Sequence, residues 1–136
     1  MISSERALVR VVTDFLLQNE YRVRHEVPNM GQSIDIVASK GRYLTFLEAK
    51  LSDWRRAMNQ CRAHTLVADY ICLAIARKSA SPALIEETKE LGYGLILCEP
   101  TLGMCHWELR PLMNDKIWMP QRQQWAKNLK KIEYVN

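Results

Sequence analysis

Apolar residues at helical spacing open the chain. In SSERALVRVVTDFLLQ, Leu8, Val11, Val12, Phe15 and Leu16 recur three and four apart and form one stripe. Ser3 or Ser4 is placed to cap that helix. The period then changes to two. In EYRVRHEVP, Tyr21, Val23, His25 and Val27 share one face and Arg22, Arg24 and Glu26 the other, and Pro28 is expected to end the strand. In SIDIVAS, Ile34, Ile36 and Ala38 point one way and Asp35 and Val37 the other. YLTFLEAKL reads as a third strand, and the short links NMGQ and SKGR make the three an antiparallel meander.

Helical spacing returns in SDWRRAMNQCRAHTLV. Ser52 or Asp53 caps it, Trp54, Met58, Cys61 and Thr65 form its apolar side, and Arg56, Gln60 and His64 lie four apart on a neighbouring stripe. DYICLAIAR and GLILCE are continuous apolar runs, the pattern of strands buried on both faces. Between them, SPALIEETKELGYG reads as a helix capped by Ser81, opened by Pro82 and stopped by Gly92. Strands joined through helices imply parallel neighbours and right-handed crossovers. The expected fold is therefore α/β, a mixed central sheet flanked by helices. The pattern changes at Thr101. MCHWELRPL looks extended, and PQRQQWAKNLKK looks like a helix opened by Pro120. Residues 1–100 are expected to form a core and 101–136 a basic, Trp-containing extension packed on the same domain.

Composition narrows the class. The chain has 136 residues, 48% hydrophobic and 25% charged, which fits one folded domain and excludes disorder. MISSERALVR lacks a basic region followed by an apolar one, and YICLAIA is too short to span a bilayer, so a soluble, cytoplasmic protein without membrane association is expected. None of Cys61, Cys72, Cys98 and Cys105 forms a CxxC pair. Cys98, Cys105 and His106 match no zinc spacing, and buried thiols in a reducing compartment are expected. The net charge is +4, and residues 101–136 hold 6 Lys/Arg against 3 Asp/Glu. That tail suits a polyanionic partner. Trp107, Trp118 and Trp125 are expected to pack, while Arg56, Arg122, Lys127, Lys130 and Lys131 are candidate nucleic-acid contacts.

Three charged residues stand where strands should be apolar. Asp35 interrupts Ile34-Asp35-Ile36-Val37, and Glu48 and Lys50 follow Leu44 and Phe46 on one face of the third strand. A hairpin near Lys40–Gly41 brings Asp35 toward Glu48. Two adjacent carboxylates raise each other's pKa, and a divalent cation removes that conflict. Hard oxygen ligands suit magnesium, which binds substrate phosphate and acidifies water. Lys50 is placed to neutralise charge developing on a phosphorane, and the Ala49 carbonyl is a further candidate ligand. Glu5, beside the buried stripe of the first helix, either complements the helix dipole or points to a polar site. His25 is read as a packed or surface strand residue and Glu26 as a solvated partner of Arg24 or Arg22.

Asp35, then Glu48-Ala49-Lys50, in a helix–strand–strand–strand–helix–strand order, resembles the PD-(D/E)XK, or restriction-endonuclease-like, nuclease superfamily. The resemblance spans residues 3–99 and departs from the pattern in having Ile34 where a proline often precedes the aspartate. It implies an α-β-β-β-α-β-α-β core, magnesium (or manganese) held by Asp35 and Glu48, and Lys50 assisting hydrolysis. Glu5 and Gln60 match the accessory acidic residue and glutamine of many members. The implied activity is endonucleolytic hydrolysis of DNA to 5′-phosphate and 3′-hydroxyl products. A small catalytic domain of this kind implies a homodimer, with the apolar surface of residues 104–126 as candidate interface. The alternatives are an inactive nuclease-fold module binding nucleic acid or a protein partner, and an unrelated α/β protein with a chance ExK. The last would hold the Asp35 and Glu48 side chains more than about 8 Å apart, too far to share a magnesium ion.

Overall fold

The computed structural model describes residues 1–135. Helix α1 (Glu5–Gln18) starts at Ser4, whose hydroxyl accepts the Ala7 N–H at 3.0 Å. Strands β1 (Arg22–Asn29), β2 (Gln32–Lys40) and β3 (Tyr43–Lys50) form the antiparallel meander. Its two turns use Gly31 and Gly41 at positive φ, where a glycine carries no Cβ penalty. Helix α2 (Trp54–Cys61) is capped by the Asp53 carboxylate, which accepts the Arg56 N–H at 3.2 Å. Then come β4 (Tyr70–Ile75), α3 (Pro82–Glu90) and β5 (Gly94–Cys98), with β3, β4 and β5 mutually parallel. Strand β6 (Cys105–Leu109) joins antiparallel at the edge of β5, and α4 (Met119–Leu129) follows. The sheet has six strands in the order β1-β2-β3-β4-β5-β6, so the molecule is mixed α/β.

Helices cover both faces of the sheet. On one, Leu8, Val12 and Leu16 of α1 pack with Val23, Ile36 and Leu47. On the other, α2, α3 and α4 bring Met58, Leu84 and Trp125 onto Val37, Phe46 and Leu73. All of the strand residues in these sets are fully buried. The tail crosses the second face and returns to the first strand. Trp125 Nε1 donates to the Pro28 carbonyl at 3.0 Å, Arg24 Nε donates to the Ile132 carbonyl at 2.7 Å, and the Val135 N–H donates to the Val23 carbonyl at 2.6 Å. The Tyr134 ring lies under the Arg22 and Arg24 guanidinium groups at 3.6 and 3.8 Å. Residues beyond 100 thus bind both edges of the sheet.

Several expectations need correction. The strict alternation along β1 and β2 breaks at Glu26, whose φ of 51° is left-handed. Val23 and Ile36 belong to the α1-side core, whereas Val27 and Ile34 belong to the opposite core. The positive φ turns the pleat over while the register stays constant, with His25 opposite Ile36 and Val27 opposite Ile34. Pro28 does not end β1, which runs on to Asn29 at an edge of the sheet where a missing N–H is tolerated. Helix α2 stops at Cys61 and tightens into a 3-10 turn over Arg62–His64, so the predicted four-turn helix is cut short. Thr65 is only half-buried, its hydroxyl donating to the Arg62 carbonyl. Cys98 and Cys105, neighbours across β5 and β6, form a disulfide, while Cys61 and Cys72 are free and buried. Two of the four predicted thiols are therefore paired. Trp118 is 57% exposed and does not pack as expected.

Candidate active site

Strand register brings the two carboxylates together. Ile36 lies opposite Leu47 across β2 and β3, and one further step of that antiparallel ladder sets Asp35 against Glu48. Asp35 is also where β2 changes face, so its side chain sits at the junction between the two cores. Asp35 Oδ2 accepts the Ala49 N–H at 2.8 Å. The Asp35 and Glu48 carboxyls are close enough to shift each other's protonation. Burial pushes both groups up, Asp35 from 3.8 to about 7 and Glu48 from 4.5 to about 7. Charge repulsion from Glu48 adds to the rise at Asp35, and Lys50 opposes it at both. Without a cation the pair holds a proton near neutrality, because two neighbouring desolvated carboxylates resist full ionisation.

A second pair of residues fixes Glu48. His64 is fully buried, and its Nε2 lies 2.7 Å from Glu48 Oε2. Asn29 Nδ2 lies 3.1 Å from the Ala63 carbonyl and 3.0 Å from His64 Nδ1. A carbonyl only accepts, so Asn29 presents its NH2 here, and His64 Nδ1 must be the accepting nitrogen. His64 Nε2–H then donates to Glu48. Burial lowers the His64 pKa from 6.5 to about 4, consistent with a neutral ring in this tautomer. Sequence reasoning assigns neither His64 nor Asn29 to the site. The signal for His64 is its spacing, seven after Ala57 and three after Cys61, both fully buried, which sets it on the inward side of the helix. Asn29 carries no signal, because its inward direction depends on the face change at Glu26.

Lys50 stands at the same end of β3, its side chain 12% exposed, with Nζ 3.4 Å from Glu5 Oε1. Glu5 therefore meets the site through Lys50 and not through the carboxylates. Gln60 makes no hydrogen bond to Asp35, Glu48 or Lys50 among the described residues, and its Oε1 is buried without a partner. Ala49 contributes its N–H to Asp35, a role that spacing does not suggest. A cleft of about 760 Å³ opens on Asp35 beside α1, with Glu5, Arg6, Arg10, His25 and Glu26 on its walls. The Thr13 hydroxyl donates to the Val9 carbonyl, so His25 Nε2–H donates to Thr13 Oγ1 at 2.7 Å. Glu26 accepts from the Ser33 hydroxyl at 2.7 Å and forms no ion pair with Arg22 or Arg24 among the described residues, contrary to expectation. Of the predicted nucleic-acid contacts, Arg122 is a structural residue. Its guanidinium donates to both Asp69 oxygens and to the Val67 carbonyl. Arg56, Lys127, Lys130 and Lys131 are exposed.

Among the described residues, no group of three or more His, Cys, Asp or Glu side chains is arranged to hold a metal ion. The donor set present is two carboxylates. Magnesium is commonly held by one or two carboxylates with waters and substrate phosphate completing the shell. The desolvated Asp35–Glu48 pair fits such an ion, which would release the proton the two now hold. No family model matches the chain, and no curated protein sequence matches it. Among solved structures it is similar to the SPO1766 protein of unknown function from Silicibacter pomeroyi, with a TM-score of 0.71 and 16% identity over 96% of this chain and 86% of that one. At this identity the likeness shows the fold alone. No helix among the described residues is long and apolar enough to cross a membrane.

Proposed function

We propose that the chain is a magnesium-dependent phosphodiesterase acting on DNA, with a restriction-endonuclease-like core. The observation that carries this reading is the β2–β3 register that sets Asp35 against Glu48 at the strand end where Lys50 also stands. The order α1-β1-β2-β3-α2-β4-α3-β5 supports the same reading. Asp35 and Glu48 would hold the ion. When bound, magnesium supplies Lewis acidity at the scissile phosphate and charge compensation for the two carboxylates. Ala49 N–H orients Asp35, and the Asn29–His64 chain orients Glu48, so neither carboxylate is free to rotate away. Lys50 brings a cation to the place where negative charge develops on the phosphate oxygens. Glu5 restrains Lys50 from the far side.

The burial of Glu48 at 2% and its bond to His64 favour a second reading, in which the cluster is structural and the fold serves as a binding module. Cleavage separates the two. A panel of linear duplex, single strands, flaps, four-way junctions and RNA is incubated with magnesium or manganese. On our reading the wild type cuts at least one DNA, and chelator, Asp35→Ala and Lys50→Ala each abolish cutting. Absence of cutting across the panel, with binding unaltered in both variants, would leave the binding module. The exposed Met104, Leu112, Met113, Trp118 and Met119 are the candidate homodimer surface, and a monomer in sedimentation at micromolar concentration would remove that part of the proposal.

A further inference from the structure

A second surface lies at the opposite end of β3. Tyr21, Lys40, Tyr43, Tyr70 and Arg110, with Thr45 and Pro111, line an open cleft of about 300 Å³. Three aromatic rings and two cations meet there, and no carboxylate lines it among the described residues. Arg42 stands at its rim, with its guanidinium 5.1 Å from the Tyr43 ring. Tyr43 and Tyr70 meet edge to face at 6.1 Å, and Arg42, which also donates to the Tyr43 hydroxyl at 3.0 Å, lies over the Tyr43 ring, so a base stacking on that face would displace it. Lys40 Nζ lies 4.8 Å from the Tyr21 ring centre and spends one N–H on the Asn19 carbonyl, leaving two for a ligand. The nearest acid is already engaged. Asp69 Oδ2 accepts the Leu44 N–H at 2.7 Å, and both Asp69 oxygens accept from Arg122. Nothing in the core requires this set, since Lys40, Arg42, Tyr43 and Arg110 are all exposed.

We propose that this cleft binds single-stranded nucleic acid, with bases stacked on Tyr43 and Tyr70 and phosphates held by Lys40, Arg42 and Arg110. Aromatic faces interleaved with cations bind unpaired bases and backbone together, whereas a duplex keeps its base faces covered. An acidic peptide would use the cations and leave the rings without a stacking partner. The carboxylate cleft runs beside α1, and this one opens just past the end of that helix, at Tyr21. Tyr43 and Glu48 lie five steps apart along β3, about 17 Å at the rise of a strand, and that odd spacing turns them to opposite faces of the sheet. The binding proposal does not depend on catalysis.

The test is fluorescence anisotropy with labelled oligothymidine of roughly a dozen nucleotides, in chelator so that no cutting intervenes. Tyr43→Ala is expected to weaken binding about tenfold, and Tyr43→Phe to bind as wild type, since stacking survives without the hydroxyl. The double variant Arg42→Gln/Arg110→Gln is expected to flatten the dependence of log affinity on log salt by about 1.4, near 0.7 for each phosphate released. Both arginines are exposed, so that variant decides the question even if Tyr43→Ala misfolds. Wild-type affinity and salt slope in the arginine variant would overturn the proposal. So would displacement of the label by polyglutamate as readily as by unlabelled oligothymidine, which would assign the surface to acidic peptides. Because chelator silences any nuclease step, loss of binding here and loss of cleavage in Asp35→Ala are separate results.

Discussion

The two ends of β3 break the usual partition of side chains in opposite directions. At the end that holds Glu48 and Lys50, ionisable groups are sunk into the protein, with Glu48 2% exposed and bound to a fully buried histidine. At the end that holds Tyr43, an aromatic ring and its cationic neighbours stand in solvent. Each departure carries a cost that the fold does not require. A buried carboxylate must be paired or protonated, and an exposed ring forgoes burial. The buried end has accordingly been built up with buried polar partners, Ala49 N–H, His64 and Asn29, while the exposed end is held by ring contacts and solvent-facing hydrogen bonds. Positioned partners suit chemistry, which needs atoms held in place, whereas loosely held aromatics and cations suit binding that tolerates any base.

Substitutions at the two ends should therefore fail in different ways. The largest effect is expected at Lys50→Ala, which should lower cleavage about a hundredfold or more by removing the cation at the developing charge, with the melting temperature little changed. His64→Ala comes next. It removes the donor to Glu48 and leaves a void, and should cost about 3 kcal/mol in chemical denaturation. Arg122→Ala should cost a comparable ~3 kcal/mol, because it strands the largely buried Asp69 without its cation. If it instead weakened nucleic-acid binding without loss of stability, the structural assignment of Arg122 would be wrong.

The pH dependence is subtler and again belongs to the carboxylate end. Folded Asp35 and Glu48 titrate at about 7, above their ordinary 3.8 and 4.5. Between roughly pH 4.5 and 7 the folded chain holds protons that the unfolded chain has released, so stability falls as pH rises through that window. His64 acts oppositely, since its pKa drops from 6.5 to about 4 on folding, and it offsets part of the fall below pH 6.5. Thermal melts without metal should show the net decline, ending above pH 7, and Asp35→Asn should flatten it. Magnesium should raise the melting temperature more at pH 8 than at pH 5, because the proton competes for the same oxygens. The smallest effect is expected at Tyr43→Ala, whose stability should stay within about 1 kcal/mol of wild type, as for an exposed site.

Much of the carboxylate end is legible in the amino-acid order. Asp35 and Glu48 each interrupt an apolar run, and their placement on consecutive strands of a short hairpin points them at one another. Lys50 follows from the period of two. His64 follows the buried Ala57 by seven and Cys61 by three, so helical spacing turns it inward, but no spacing names Glu48, sixteen residues earlier on β3, as its partner. Alternation puts Val27 and Ile34 on the wrong face. Periodicity assumes a uniform backbone, and in β1 one left-handed residue, Glu26, cancels it, while β2 changes face at Asp35. The exposed end cannot be read from the chain, because Tyr21, Lys40, Tyr70 and Arg110 are distant in sequence and meet only when the sheet closes.

The sequence by itself determined the layer plan, since apolar spacing and crossover connections are local properties that each segment carries alone. It also determined that charge would enter the sheet at Asp35, Glu48 and Lys50. Tertiary structure alone decided which groups those charges would meet. The His64–Asn29 chain, the Glu5–Lys50 contact and the Tyr43–Tyr70 cleft each join residues from separate elements. Their meeting depends on one left-handed residue, the packing of the helices on the sheet and a strand register, none of which an amino-acid period encodes.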